Sequence, residues 1–569
     1  MSEISSDTCT AGASDPVADV IAIEGSHSDA DGVRPDAEEK DGDKVTASTA
    51  RLGVAPIGRL LLGLCVPTCI SMTIGSVYNI IDSIFIGKYT GTNGLAAISV
   101  TIPLEMMLSL GLSLMAGVGA AAVLSVLLGK GDVPQARIVM AHFLLIGFVI
   151  AVGIPICVLP SLEWLLLNVL GCTEAALPYA MDYGRVIFLY GGLGYFCATG
   201  VGPLLRVENM ASIGMWRQLI SSLLNILGDP LFMSVLDLGI AGAAYSTSFA
   251  LISVGMTMLV FYFHPKSKSN LHPDLKSMLP FLGGRIQWSI IKDILSIGIG
   301  MWIAQLPPSI GAIVSNVQAV KYAESEADSE IYLAALGLFS RVVSLIFMPM
   351  AGITQGLLPV VGFSLGARKW ARMRQACMYV LYASVSISFL SVVVGVIWAD
   401  VVIGWFTDDE AVIEQGAKIL RVGMSLSFLQ GITQIVATIA QVYKQIAINA
   451  SVQLIKPLLV IVFVYVLPPF MGVDGIWTAY PIADILAAVI STWLLVRYMK
   501  KIKKEEADDA VAVVEEGKVP HGVADTVEAV GGESEGDSDL RALEGIKTSM
   551  VLSVSEAQSN GEPSLSLSH

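Results

Sequence analysis

The chain has 569 residues, 54% hydrophobic and only 15% charged, with a formal charge of −15. Charged residues make up about a quarter of an ordinary soluble domain, so this composition excludes a string of water-soluble domains and points to a polytopic membrane protein. The acid excess sits in the two tails, and residues 51–504 carry somewhat more base than acid.

Residues 1–50 are rich in Ser, Gly, Asp and Glu, contain no aromatic residue, and include Asp7, Asp15, Asp19, Glu24 and an acidic cluster from Asp29 to Asp43. That pattern fits neither a secretory signal nor a transit peptide. Residues 505–569 have the same character. Both tails bury too little apolar surface to offset chain entropy and are expected to be disordered.

About 20 apolar residues cross the hydrocarbon core, and twelve such runs lie near 58–87, 95–128, 138–161, 184–205, 214–236, 240–263, 290–320, 332–365, 375–400, 415–443, 448–470 and 473–497. Several exceed thirty residues, so tilt, kinks or protrusion are expected. With alternate loops assigned to opposite sides, one side carries 21 Lys and Arg and the other 5. The positive-inside rule then places both termini in the cytoplasm, and an even number of spans agrees. The single sequon, Asn449-Ala450-Ser451, falls on that side and should stay unglycosylated. The expected molecule is an integral, multi-pass monomer of the plasma membrane or an endomembrane.

Leu95-Ala96-Ala97 returns as Leu333-Ala334-Ala335, Pro230-Leu231-Phe232-Met233 as Pro468-Pro469-Phe470-Met471, and Arg206 as Lys444, all displaced by 238 residues. The displacement covers six spans, an even number, so the halves are parallel repeats about an axis along the membrane normal. The expected organisation is an all-α polytopic membrane protein of two six-helix bundles. Residues 51–264 form the first, 265–289 a cytoplasmic linker and 290–504 the second.

No Walker A loop, HExxH, paired CxxC or GxSxG elbow occurs. The expectation is therefore a non-enzyme without cofactor or nucleic-acid partner. Gly117-Val118-Gly119 followed by Ala122 lies inside an apolar run with no preceding strand, which favours helix packing over dinucleotide binding. The seven cysteines read as small packing residues, and the methionines (Met106, Met107, Met115, Met301, Met348, Met350) mostly as core filler.

An acid at mid-span costs roughly 2.5–3.5 kcal/mol of insertion and usually lines a cavity or pathway. Those deepest are Asp82, Glu105, Asp229 and Asp484, with Lys456 and Arg341 the basic counterparts. Asn225 and Asp229 stand four apart, as do Tyr78 and Asp82, which stacks their oxygens on one helix face as ligands for a proton or a hard cation. The competing reading for Asp229, followed by Pro230, and for Asp82, near the Lys88 loop, is a helix-end residue wetted at the interface. The repeat places Phe463 opposite Asn225 and Leu467 opposite Asp229, so a carboxylate cation site is confined to the first half. Glu105 follows Pro103 near the outer rim and is a candidate for the cleft. Lys456 and Asp484 read as a cross-helix pair before a substrate site, and His142 as a satisfied interface residue.

Four stretches carry a resemblance. They are Tyr78-Asn79-Ile80-Ile81-Asp82-Ser83-Ile84-Phe85-Ile86-Gly87, Gly129-Lys130-Gly131-Asp132, Asn225 through Asp229-Pro230-Leu231-Phe232, and Met348-Pro349 through Gly352, Gln355-Gly356 and Pro359 to Gly366-Ala367. Over about 58–500 the chain resembles the multidrug and toxic compound extrusion (MATE) transporters. The resemblance implies two six-helix bundles around a cleft, with alternating access driven by inward H⁺ or Na⁺. In the branch it is most similar to, the cation site of the N-terminal bundle matches Asp82, Asn225, Asp229 and Thr247, and a helix-bending proline matches Pro67. Candidate cleft-lining residues are Tyr78, Glu105 and Lys456. The implied function is a secondary antiporter exporting amphipathic, often cationic, organic compounds across the bilayer. The alternative is a carrier or flippase for organic acids or lipid-linked metabolites, favoured by Lys456 and Arg341. No metal beyond Na⁺ at the four cation residues is expected.

Overall fold

The computed structural model describes residues 46–515 apart from 171, 173, 265, 266, 268, 279–284, 305 and 408, and among these residues all regular structure is helical. In chain order the first six spans are Ile57–Thr90, Ala97–Gly129, Val133–Val169, Leu177–Val207, Ala211–Val235 and Gly239–Phe263. Span 8 is Ile331–Gly366, span 9 Trp370–Ile397, span 11 Ile446–Val466 and span 12 Asp474–Asp509. Span 10 consists of Glu410–Met424 and Ser427–Val442, bent by 41°.

Span 7, expected as one run over 290–320, is divided into Trp288–Ile303 and Leu306–Tyr322. Pro307 and Pro308 explain the break, because neither has an N–H to continue the ladder from the preceding turn. Each piece alone is too short to cross the hydrocarbon core.

The parallel repeat is visible in the joints. Two residues past spans 2 and 8 stand residues of left-handed backbone, Gly131 and Arg368, and two past spans 4 and 10 stand Asn209 and Lys444, so that Lys444 matches Asn209 at a displacement of 235 and not Arg206 at 238. The bundles meet where the first piece of span 7 packs on span 2 and where span 8 packs on spans 1 and 2. Small residues permit that approach. A methyl group on Gly119 would strike the Ile294 carbonyl, and one on Gly298 the Met115 carbonyl. Gly117 and Gly119 thus serve helix packing, as expected. Cys65 and Cys69, beside Pro67 inside span 1, donate to the carbonyls of Ile353 and Pro349 on span 8 at 3.3 and 3.0 Å.

The end of the bundles that carries both termini is tied together. Lys369 donates to the Gly53 carbonyl at 2.9 Å, and Arg372 to those of Leu52 and Ala55 at 2.8 and 2.6 Å. The final helix runs on to Glu515, past the boundary expected at 504, and Ala47–Val54 is also helical. The inner ends of both tails are therefore part of the folded body. The reason is chemical: Glu506 pairs with Arg374 at 3.4 Å, Asp509 accepts from the Trp370 indole at 2.6 Å, and Glu505 accepts from Tyr443 at 2.5 Å. The expectation of disorder for the remainder, residues 1–45 and 516–569, lies outside the described residues.

The linker is anchored as well. Glu208, fully buried after span 4, accepts from the Ser269 hydroxyl at 2.8 Å and from the Asn270 backbone N–H at 2.6 Å. Asn270 in turn donates to Thr46 and Thr49. His142, also buried, donates from Nδ1 to the Ile138 carbonyl at 2.8 Å and accepts the Gln287 N–H at Nε2 at 2.9 Å. Both ring nitrogens are used, in the neutral tautomer, as a satisfied interface residue requires.

Candidate functional site

Span 5 presents Asn225 and Asp229 one turn apart on its buried side, at 2% and 0% exposure. The Asn225 amide donates to the Asp229 carboxylate at 3.3 Å and to the Thr247 hydroxyl on span 6 at 3.1 Å. Ser246, beside Thr247, donates back to the Asn225 carbonyl at 2.9 Å. Spans 5 and 6 come this close because Gly228 faces Ser246: a methyl group there would collide with its hydroxyl. Asp229 is thus a sealed interior carboxylate, not a wetted helix end.

Asp82 on span 1 brings its carboxyl group within hydrogen-bonding reach of Asp229, with Glu105 a nearby electrostatic neighbour. Tyr78, one turn earlier, lies within electrostatic range of all three acids. Glu105, expected near the outer rim, is not a water-exposed side chain. It is buried in the first bundle, where Tyr195 and Tyr183 of span 4 donate to its two oxygens at 2.7 and 3.4 Å. Three acids from spans 1, 2 and 5 therefore converge inside one bundle. Asp82 Oδ1, Asn225 Oδ1 and Asp229 Oδ2 are buried without a hydrogen-bond donor.

The backbone helps to aim these groups. Glu105 and Tyr195 each immediately precede a wide π-helical turn, Met106–Leu110 and Phe196–Gly200, and Asp229-Pro230 precedes Leu231–Val235. Such turns rotate a helix face relative to the residues before them and recur at functional sites. Pro103 and Pro230 supply missing N–H groups next to two of them.

The arrangement suits a single small cation. Carboxylates in contact inside a dry bundle repel unless a proton or metal ion lies between them. Carboxylate, amide and hydroxyl oxygens are ligands for hard cations such as Na⁺. Sequence reasoning missed Ser246, Tyr183 and Tyr195. The Ser246-Thr247 dipeptide was the only local signal for the first, and no periodic pattern marked the tyrosines.

The other polar residues lie elsewhere. Lys456 of span 11 and Asp484 of span 12 pair at 2.6 Å, and Ser427 donates to the second Asp484 oxygen at 3.1 Å. They line a cavity of about 480 Å³ whose lining residues all belong to the second half of the chain. Arg341 is exposed and does not line that cavity. Met350 is buried, and Met107 and Met301 pack against the core, consistent with filler.

The MatE family model matches residues 67–231 and 322–466, one segment in each half. A protein described as multidrug export protein MepA, from Staphylococcus aureus, is 23% identical over 448 residues, covering 78% of this chain and 94% of that protein. A protein from Shewanella oneidensis described as a FAD transporter is 25% identical over 460 residues, covering 80% and 98%. Among solved structures, an outward-facing multidrug resistance MATE family transporter of the MOP superfamily superposes with a TM-score of 0.73 at 23% identity, covering 81% of this chain and 99% of that one. A MOP superfamily transporter from Pyrococcus furiosus, described as having a binding pocket of reverse polarity, superposes with the same TM-score of 0.73 at 23% identity and the same coverage.

Proposed function

The chain belongs to the MatE family of multidrug efflux transporters, multi-pass membrane carriers and not enzymes, and from that premise we propose that it is a secondary active antiporter. It exports amphipathic, often cationic, organic compounds in exchange for H⁺ or Na⁺ by alternating access. One observation carries the reading: Asp82 and Asp229 from two spans lie in contact, and Asp82 Oδ1, Asn225 Oδ1 and Asp229 Oδ2 lack a donor.

Asp82 and Asp229 bind the coupling ion, Asn225 and Thr247 orient and ligate, and Tyr78 and Glu105 flank them. With the ion bound, the pair is neutralised and the first bundle relaxes toward one access state. With the ion released, mutual repulsion favours the other. A gradient moves such an equilibrium only through the difference in ion affinity between the two states. The chain works as a monomer with both termini in the cytoplasm, the side carrying 21 of the loop bases against 5. No cofactor is required, because the coupling ion is itself the second substrate.

Counterflow in proteoliposomes with imposed H⁺ or Na⁺ gradients tests the reading. Accumulation of an amphipathic dye driven by either gradient supports it, and dye movement indifferent to both refutes it. The second reading, a carrier of organic acids or lipid-linked metabolites, is favoured by Lys456, which lines the second-bundle cavity at 21% side-chain exposure. The same assay run with an organic acid separates the two.

A further inference from the structure

Among the described residues the second bundle has no counterpart of the carboxylate pair, yet it holds a cavity with its own charge chemistry. An ion pair that served only to join spans 11 and 12 would be satisfied by burying both partners alike. Here the burial is unequal: the Asp484 side chain is 1% exposed and the Lys456 side chain 21%. Asp484 also lines the cavity but is the deeper partner, with the Ser427 hydroxyl on its second oxygen. The ammonium is therefore the more exposed of the two charges at the cavity.

An ammonium has three donors. Among the described residues, Asp484 is its one ion-pair partner. The cavity volume, about 480 Å³, lies within the range that houses drug-sized ligands. Phe339 and Tyr480, ring centroids 5.3 Å apart, form an aromatic wall suited to a planar ring system. Asn316, Gln434 and Gln453 add amides that both donate and accept.

We propose that this second-bundle cavity binds the acidic group of an amphipathic aromatic compound, with Lys456 holding its carboxylate and Asp484 acting as the internal counter-ion with which it competes. The inference rests on the reading of the chain as a carrier of amphipathic compounds and adds where the acid-bearing members of that class are held. A zwitterion presents its acid here, and a purely cationic compound gains nothing from Lys456.

The matched probes are tetramethylrhodamine, which has a free carboxylate, and its methyl ester, which does not. Equilibrium binding of each is measured by fluorescence anisotropy on the full chain in lipid nanodiscs. Loss of a charge-assisted contact should weaken binding of the acid dye about 10- to 100-fold in Lys456→Gln, while binding of the cationic ester does not weaken, since the unpaired Asp484 carboxylate can only attract it. Asp484→Asn, which removes the competitor, should bind the acid more tightly than wild type does. Because either single change could unsettle the fold, the double variant Lys456→Gln/Asp484→Asn replaces the pair without leaving a lone charge, and it should lose the acid preference while keeping ester affinity. Wild-type acid affinity in the double variant, with normal ester binding, overturns the inference and leaves the carrier reading standing. Failure of both dyes to bind wild-type protein saturably overturns the carrier reading and the inference with it.

Discussion

Replacing either contacting carboxylate by its amide isostere should separate substrate binding from accumulation. In Asp229→Asn the new side chain keeps an oxygen to accept from Asn225, now 3.3 Å from the carboxylate. Its NH₂ group is positioned to donate to Asp82 and so takes the place of the coupling ion. The first bundle is then held as if permanently loaded. For an uncharged substrate exchanged one for one with H⁺, 100 mV and one pH unit together supply about 3.7 kcal/mol, enough for roughly a 500-fold gradient. For a singly charged cationic substrate the exchange moves no net charge, and one pH unit sustains about tenfold. Wild type should reach the tenfold limit in proteoliposomes loaded at pH 6 and diluted to pH 7, or the Na⁺ equivalent, and the 500-fold limit for an uncharged substrate only when an inside-positive potential of about 100 mV is imposed as well. Asp82→Asn and Asp229→Asn should show dye affinity within about threefold of wild type and no accumulation beyond equilibration, since no differential ion affinity remains to shift the states. Converting Phe463 or Leu467, the positions matched in the second half, to polar residues should not restore it. Either amide variant building a gradient at wild-type stoichiometry would refute the coupling role of the pair.

Burial pushes the Glu208 carboxyl up to about 7, while hydrogen bonds from Ser269 and the Asn270 N–H act in the opposite sense. A raised acid contributes stability that is complete below its unfolded value near 4.5 and lost as pH rises through about 7, a span worth roughly 3 kcal/mol. Thermal unfolding in detergent at pH 5 and pH 8 should show that loss in wild type and a much flatter response in Glu208→Gln; equal slopes would remove Glu208 as the source. A chain cut to residues 46–515 should retain exchange, whereas a cut after 504 removes Glu505, Glu506 and Asp509 from Tyr443, Arg374 and Trp370 and should lower the melting temperature. A single cysteine introduced between 321 and 331 should react with an impermeant reagent from outside intact cells, and labelling only from the cytoplasmic side would invert the topology.

Composition and hydropathy identify a polytopic helical membrane protein with twelve apolar runs, because span length and apolarity are local properties read residue by residue, and the internal repeat adds the parallel halves. The stacking of Asn225 on Asp229 is equally local, since residues four apart share a helix face whatever surrounds them. The sequence repeat, which at a displacement of 238 sets Phe463 and Leu467 opposite Asn225 and Asp229, predicts the asymmetry of the halves, and the joint at Lys444 shifts the match to the equally apolar Val460 and Val464. What sequence could not supply is each helix's rotation about its own axis and the register between neighbours. Those two variables bring Ser246 to the Asn225 carbonyl, Tyr195 and Tyr183 to Glu105, and Asp82 to Asp229. They also turn Arg341 to the surface and Lys456 toward a cavity, although both are lone bases in apolar spans. The last helix continues into the acidic tail because partners elsewhere in the fold hold Glu505, Glu506 and Asp509, whereas the break of span 7 at Pro307-Pro308 is local. Register of this kind is set by close packing between facing helices, as where Gly228 meets Ser246 and Gly119 meets Ile294, a property that no single helix encodes.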